Sequence, residues 1–201
     1  NKCQMNNIIE SYSNENGCIY HGDALEILKQ IPNESVDLIF VDPPYNIGKD
    51  FAGRKDKWKT DEEYLNWCYL WIDLCIQKVK PNGSLYLMTS TQFMPYLDLY
   101  VRDKVCILSR IVWSYDSSGV QAKKYYGSMY EPILFCVKDK SNYIFNSEDI
   151  LVEAKTGSKR KLIDYRKNPP QPYKAEKVPG NVWNFARVRY RMEEYENQLN
   201  S

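Results

Sequence analysis

The sequence predicts an α/β fold built around a parallel sheet. Residues Val36–Val41 form an almost uninterrupted apolar run of strand length, typical of a strand covered on both faces. An amphipathic helical segment and a second apolar strand follow this run, which together indicate a βαβ unit with a right-handed crossover. The chain has 43% hydrophobic and 14% aromatic residues, enough to build a core.

The first elements lead to a proline-rich turn. Gly17–Asp23 is predicted to be a short strand that ends at a Gly-Asp turn, and Ala24–Gln30 a short helix that stops before Pro32. The apolar strand Val36–Val41 then ends abruptly at Asp42-Pro43-Pro44-Tyr45, because two prolines prevent further ladder pairing.

A longer helix is predicted next. Thr60-Asp-Glu-Glu63 has the pattern of a capping box, and Lys80-Pro-Asn-Gly83 ends the helix before the strand Ser84–Thr89. Apolar residues recur at helical spacing and predict one buried face: Tyr64, Cys68, Trp71, Cys75 and Val79.

The second half of the chain changes character. A helix is predicted over 92–104, and strands over Ile107–Tyr115 and Pro132–Val137. The remainder is rich in proline, tyrosine and basic residues and has weak periodicity, which indicates loops. We therefore divide the chain into a part with regular elements, 1–145, and a basic, loop-rich region, 146–201.

Positive charge is concentrated in one stretch. Residues 155–191 contain eleven Lys/Arg and two acidic residues, although the whole chain has a net charge of only +1. A basic stretch on an otherwise acidic protein favours an anionic partner such as nucleic acid. A solvated basic loop explains the same count equally well.

Composition excludes several classes of site. The six cysteines form no CxxC pair and His21 is the single histidine, so neither a structural zinc site nor a Ser-His-Asp site is expected. No metal is predicted. Scattered cysteines and the lack of an apolar run of about 20 residues favour a cytoplasmic protein that does not contact a membrane.

The turn Asp42-Pro43-Pro44-Tyr45 has the most informative chemistry. Ligands of open α/β sheets bind beyond the carboxyl ends of strands, where this turn lies. Its prolines fix φ and remove two donors, so rigid, unpaired carbonyls and a carboxylate are expected to accept hydrogen bonds from an amino group. The Tyr45 ring offers a surface on which a planar base stacks. A proline-rich turn without function is the alternative.

The segment GDALEILKQIPNESVDLIFVDPPYNIGKDF, with RIVWSYDSSGVQAKKYYGSMYEPILF and KVPGNVWNF, is similar to β-group DNA amino-methyltransferases of the stand-alone, adenine-specific bacterial type. The resemblance covers roughly residues 17–197. It implies a partial Rossmann-like S-adenosylmethionine methyltransferase sheet with a basic, loop-rich recognition insertion. The implied reaction is methyl transfer from S-adenosylmethionine to the N6 amine of an adenine in double-stranded DNA.

The resemblance also implies roles for individual residues. Asp42 and the Pro43 carbonyl would accept hydrogen bonds from the amine, with Pro44 and Tyr45 completing the catalytic turn. Asp23, together with Asp42, would contact the cofactor. The base pocket would be lined by Asn46, Trp113 and Tyr115, although a core role for Trp113 is equally consistent with the sequence.

DNA contacts are expected in the basic part of the chain. The target base must leave the duplex, which costs a few kcal/mol. Phosphate contacts would hold the duplex in register meanwhile. We predict these contacts for Lys123, Lys124, Arg160 and Lys161.

The cofactor-binding half of the family, with its Asp-Pro-Phe-x-Gly-Ser segment, is not found in these 201 residues. We expect the strand Val36–Val41 to be an exposed edge unless another chain covers it. The chain is therefore interpreted as an incomplete fragment or one half of a split enzyme, whose second chain would supply the cofactor half.

Three alternatives stay open. Cytosine-N4 is a second exocyclic amine, although an aspartate heading the motif favours adenine in this family. Methylation of a glutamine side chain uses a similar Asn-Pro-Pro-Tyr motif, but the basic region argues against it. A catalytically inactive DNA-binding remnant would retain salt-dependent DNA affinity without binding the cofactor.

Overall fold

The computed structural model describes residues 9–51, 54–116, 122–156 and 161–187. Three helices lie in this part of the chain: α1 (Ala24–Gln30), α2 (Asp61–Lys78) and α3 (Met94–Arg102). The strands are β1 (Ile9–Ser13), β2 (Cys18–His21), β3 (Val36–Val41), β4 (Asp50–Phe51), β5 (Arg54–Lys55), β6 (Val79–Met88), β7 (Cys106–Ser114), β8 (Tyr130–Val137), β9 (Val152–Glu153), β10 (Ile163–Asp164), β11 (Gln171–Pro172), β12 (Glu176–Lys177) and β13 (Val182–Asn184).

The described residues form two compact units. The first, here the sheet unit, comprises residues up to 143 together with those from 182 onward, and the second, the insert unit, comprises 144–181. The predicted boundary at 145 lies close to the observed one. The prediction that 146–201 is one region is wrong at its end, because β13 pairs in parallel with β7 and so belongs to the sheet unit.

The sheet unit contains a five-stranded sheet with the order β13-β7-β8-β6-β3. The predicted βαβ unit is confirmed, since β3 and β6 are parallel neighbours joined through α2. β8 runs antiparallel to both of its neighbours, so the sheet is mixed. β2 pairs with β1 in a separate hairpin.

β3 forms one edge of the sheet that the described residues make, as expected. The prediction that this strand is covered on both faces is wrong. Ile39 and Val41 pack against the main core, whereas Leu38 and Phe40 on the opposite face are 55% and 51% exposed. In the described part of the chain, apolar side chains therefore cover one face of β3.

α2 begins as its sequence predicts. The Thr60 hydroxyl accepts a hydrogen bond from the Glu63 amide at 3.1 Å, which satisfies a free donor of the first turn. The Glu63 carboxylate accepts from the Lys59 amide at 3.2 Å, one residue earlier than a capping box requires. All five residues of the predicted apolar face are buried.

Two apolar clusters cover the two faces of the sheet. The larger lies between the sheet and helices α2 and α3, and contains Tyr64, Trp71, Phe93 and Leu97 among its buried members. The smaller one, here the second cluster, comprises Met88, Ile111, Ile133, Phe135 and Val137. Tyr45 and Trp113 pack against this second cluster, which places two residues of the predicted site on one surface.

No helix in the described ranges is long and apolar enough to cross a bilayer. The same residues contain no group of three or more His, Cys, Asp or Glu side chains that could hold a metal ion. Cys18, Cys68, Cys75, Cys106 and Cys136 are free thiols.

Candidate active site

The turn Asp42-Pro43-Pro44-Tyr45 follows the carboxyl end of β3 and lines an open cavity of about 390 Å³. Pro43 is buried, whereas Asp42 and Pro44 are exposed. The remaining wall of the cavity comes from two loops and from β6, β7 and β8: Ile47, Lys49, Asp56, Met88, Trp113, Glu131 and Arg187. The structure thus brings Trp113 to the predicted catalytic turn.

Tyr45 is fixed within this turn. Its hydroxyl donates a hydrogen bond to the Asp42 carboxylate at 2.6 Å, and its ring packs on the second cluster. Burial, followed by the hydrogen bond to Asp42 and by the negative charges of Asp42 and Glu131, raises the pKa of Tyr45 above its ordinary value. The phenol therefore stays protonated at neutral pH and continues to donate to Asp42.

A buried carboxylate holds the loop that follows the turn. Asp56, which is 5% exposed, accepts hydrogen bonds from the Tyr45 amide at 3.1 Å and the Gly48 amide at 2.8 Å. Gly48 has φ +73°, a conformation that glycine adopts without strain. Asp56 could not be identified from the sequence, because nothing within the charged run Arg54–Lys59 distinguishes a buried aspartate from an exposed one.

The two proline carbonyls differ. The hydroxyl of Tyr64, which is fully buried, donates to the Pro44 carbonyl at 2.8 Å and lies 3.1 Å from the Thr89 hydroxyl. The expectation of two unpaired carbonyls is therefore wrong for Pro44. Within the described ranges no residue donates to the Pro43 carbonyl, so this acceptor stays available next to Asp42.

Alkaline pH provides a test of the bond between Tyr64 and Pro44. Burial is the main cause that raises the pKa of Tyr64 above its ordinary value of 10.0, so ionisation of the unfolded chain lowers stability above pH 10. We expect Tyr64→Phe to cost about 1–2 kcal/mol at pH 7. The cost should shrink above pH 10, because phenylalanine does not ionise. Urea unfolding at pH 7 and at pH 11 measures both values, and a cost that grows with pH would contradict this expectation.

Aromatic and charged residues lie on the side of the cavity opposite the turn. The Trp113 indole donates to the Phe185 carbonyl at 3.0 Å, which ties β7 to the segment after β13. The Tyr115 hydroxyl donates to the Glu131 carboxylate at 2.9 Å, and the Arg187 guanidinium lies 4.4 Å above the Tyr115 ring. Arg187 also contacts Glu131 at 3.4 Å, so the Glu131 charge is partly compensated.

Asn46 and Tyr115 lie outside the cavity lining. The Asn46 amide donates to Asp61 at 3.2 Å, and its oxygen accepts from the Trp58 amide at 2.9 Å. These bonds hold Asn46, whose φ is +57°, against the segment that leads into α2, and its role in the base pocket stays a prediction. Tyr115 contacts the lining of the cavity without being part of it. Its ring centroid lies 5.9 Å from that of Trp113 in an edge-on arrangement, and its hydroxyl donates to Glu131.

Asp23 also lies apart from the cavity lining. Its Oδ1 accepts hydrogen bonds from the Leu25 and Glu26 amides, so the residue caps the N-terminus of α1. The side chain is exposed, and neither of these bonds uses its second oxygen. Contact with a cofactor stays a prediction for Asp23.

Three of the four predicted DNA contacts lie in the described part of the chain. Lys123 and Lys124 are exposed in the sheet unit, and Lys161 is exposed in the insert unit with φ +52°. Arg160 lies outside the described residues. Their contacts with phosphate stay predictions.

Known proteins resemble this chain along most of its length. The family model described as "DNA methylase" matches residues 36–200. The chain is 64% identical over 186 residues to DNA adenine methyltransferase YhdJ of Escherichia coli K12, and the match covers 92% of this chain and 63% of that protein. The chain thus spans less than two thirds of this relative.

Solved structures share the fold. The cytosine-N4-specific PvuII DNA methyltransferase aligns over 94% of this chain and 64% of its own, with a TM-score of 0.62 and 16% identity. TTHA0409 of Thermus thermophilus, solved with S-adenosyl-L-methionine, aligns over 89% of this chain and 70% of its own, with a TM-score of 0.50 and 15% identity. Because the family model covers most of the chain, including the turn Asp42–Tyr45 and the residues that line the cavity, the chain belongs to the DNA methylase family.

Proposed function

We propose that this chain provides the amine-binding catalytic site of a DNA methyltransferase that methylates the N6 amine of adenine with S-adenosylmethionine. The observation that carries the proposal is the cavity in which Asp42, the Pro43 carbonyl, Tyr45 and Trp113 meet. The similarity to a DNA adenine methyltransferase along nearly the whole chain supports adenine as the target base.

The residues of the cavity match the needs of an exocyclic amine. Two acceptors, the Asp42 carboxylate and the Pro43 carbonyl, suit the two N–H donors of the N6 amine. In methyl transfer this nitrogen bonds to the methyl carbon as the bond from that carbon to the cofactor sulfur breaks, and the nitrogen then releases one proton to solvent. As the amine gains positive character, both acceptors hold it more strongly than in the ground state. The rings of Tyr45 and Trp113 offer flat surfaces for the purine.

The cofactor fits the charges of this site. When bound, S-adenosylmethionine supplies an electrophilic methyl group on a positively charged sulfur. The exposed Asp42 carboxylate is a suitable neighbour for that charge, and the second oxygen of Asp23 is a suitable acceptor for a hydroxyl of the adenosyl group. Both contacts are parts of the proposal.

The test is transfer of labelled methyl groups to unmethylated duplex DNA. The purified chain is incubated with labelled S-adenosylmethionine and DNA, and the nucleosides are then separated. We expect the label in N6-methyladenine. Label in N4-methylcytosine would contradict adenine as the target base. If the chain is folded and no nucleoside is labelled, the proposal that this chain transfers methyl groups by itself is wrong.

A further inference from the structure

One arginine of the insert unit is held by a buried carboxylate. Arg166 donates from Nε to Asp164 Oδ1 at 2.8 Å and from Nη2 to Oδ2 at 3.0 Å, a bidentate arrangement. Asp164 is 8% exposed, whereas the Arg166 side chain is 80% exposed. The guanidinium therefore faces solvent in one fixed orientation.

The local sequence produces this arrangement. Asp164 is the last residue of β10, which pairs with β11, so its backbone is fixed by the short hairpin. The chain turns directly after it, and the Arg166 amide donates to Asp164 Oδ1 at 3.1 Å. One carboxylate thus sets both the turn and the direction of the side chain that follows it.

The guanidinium keeps donors for a ligand. It has five N–H groups, and the bonds to Asp164 use two of them. Asp164, and more weakly Tyr173, raise the pKa of Arg166, so the group is permanently charged. Asp164 leaves three donors, and a weak bond to the Tyr173 side chain engages one of them, so two donors remain for a ligand.

The charge of the pair favours one class of ligand. Asp164 cancels the charge of Arg166, so the pair attracts a phosphate weakly at long range. Lys167, Lys174 and Lys177 line a cavity of about 480 Å³ beside the pair and offer the point charges that phosphate binding needs. A neutral ligand does not depend on that attraction, and the fixed orientation of the guanidinium favours a neutral ligand with two acceptors at a defined spacing.

We propose that Arg166, oriented by Asp164, reads a guanine in the major groove through its O6 and N7 acceptors. Guanine is the base whose major-groove edge presents two adjacent acceptors, and bidentate arginine is its commonest specific partner. The inference rests on the proposed function, because it takes duplex DNA as the substrate. It adds a specificity-determining residue in the insert unit, where Arg166 supplements the lysines predicted to contact phosphate.

The test compares binding preferences of the full chain and three variants. Duplexes with a randomised segment are selected by binding and then sequenced. We expect the unmodified chain to select guanine at one position, by roughly tenfold to a hundredfold over other bases. Arg166→Ala and Asp164→Asn should lose this preference. Lys174→Gln is the matched control and should weaken binding to every duplex alike.

Modified bases identify the atoms that are read. Replacing the selected guanine by 7-deazaguanine removes N7 and should reproduce the loss seen with Arg166→Ala, whereas inosine keeps O6 and N7 and should bind normally. Thermal melting of each variant shows whether it is folded, and Arg166→Ala, which alters an exposed side chain, tests the proposal even if Asp164→Asn does not fold. Selection of guanine by Arg166→Ala, or an equal loss on all duplexes, would overturn the proposal.

Failure of the two proposals is distinguishable. A chain that binds duplexes without any guanine preference overturns the role of Arg166 and leaves adenine methylation intact. A folded chain that binds no duplex overturns both, since DNA would not be its substrate.

Discussion

Asp42→Ala is expected to lower methyl transfer by about 10² to 10³, the usual cost of removing one group that stabilises a transition state. Asp42 is one of the two proposed acceptors for the amine at the end of β3, and the other, the Pro43 carbonyl, cannot be removed by substitution. Because Asp42 is exposed and its removal costs the single hydrogen bond from the Tyr45 hydroxyl, stability should fall by about 1 kcal/mol or less. Initial rates and thermal melting of the same preparations measure both quantities.

Two further variants separate charge from hydrogen bonding. Asp42→Asn retains one acceptor without the charge and should lose less activity than Asp42→Ala. Asp37→Ala is the matched control, since this exposed aspartate of β3 pairs with Lys80 away from the cavity and should leave the rate unchanged. A rate within threefold of the unmodified chain for Asp42→Ala would remove Asp42 from the reaction.

Asp56→Ala is expected to destabilise the sheet unit by about 1–3 kcal/mol, because it leaves the Tyr45 amide without its charged acceptor, whereas the Gly48 amide keeps the Asp56 carbonyl at 3.0 Å. Freed from this carboxylate, the loop should also let the Tyr45 ring move, so methyl transfer should fall. Urea unfolding gives the stability, and rates measured well below the melting temperature give the effect on the site.

Two control variants test whether the buried hydrogen bonds of Asp56 are the cause: one changes its side chain conservatively, and the other removes a nearby exposed carboxylate. Asp56→Asn keeps one acceptor oxygen and should cost less than Asp56→Ala. Asp61→Ala removes an exposed carboxylate from the first turn of α2 and should cost less than about 1 kcal/mol. Equal costs for Asp56→Ala and Asp61→Ala would show that the buried bonds do not stabilise the loop.

Much of the sheet unit follows from local patterns. Spacing alone predicts the buried face of α2, from Tyr64 to Cys75, because each side chain points to the core once per helical turn. The strand before Asp42 is equally evident from its apolar run. Its exposure on one face could not be predicted, because apolar residues at Leu38 and Phe40 do not reveal whether a second layer covers them.

Local pattern predicts the candidate site only where its residues share one segment. Asp42, Pro43 and Tyr45 are close in sequence, and the turn itself suggests their chemistry, whereas Trp113 was predicted through the family resemblance. Asp56 and Glu131 reach the cavity through a loop closure and through the antiparallel pairing of β8 with β7, both of which depend on long-range contacts. The side chain of Asn46 bonds to Asp61 and to the Trp58 amide, so its role in the base pocket stays a prediction.

The position of β13 has a consequence for how such proteins diversify. β8 and β13 are the two neighbours of β7, and the insert unit occupies the chain between them. Both ends of this segment are therefore anchored by the same strand, and lengthening a loop with fixed ends costs little free energy. Insertions, deletions or exchange of the segment between relatives can leave strand register at the catalytic turn unaltered, so the two units can evolve at different rates.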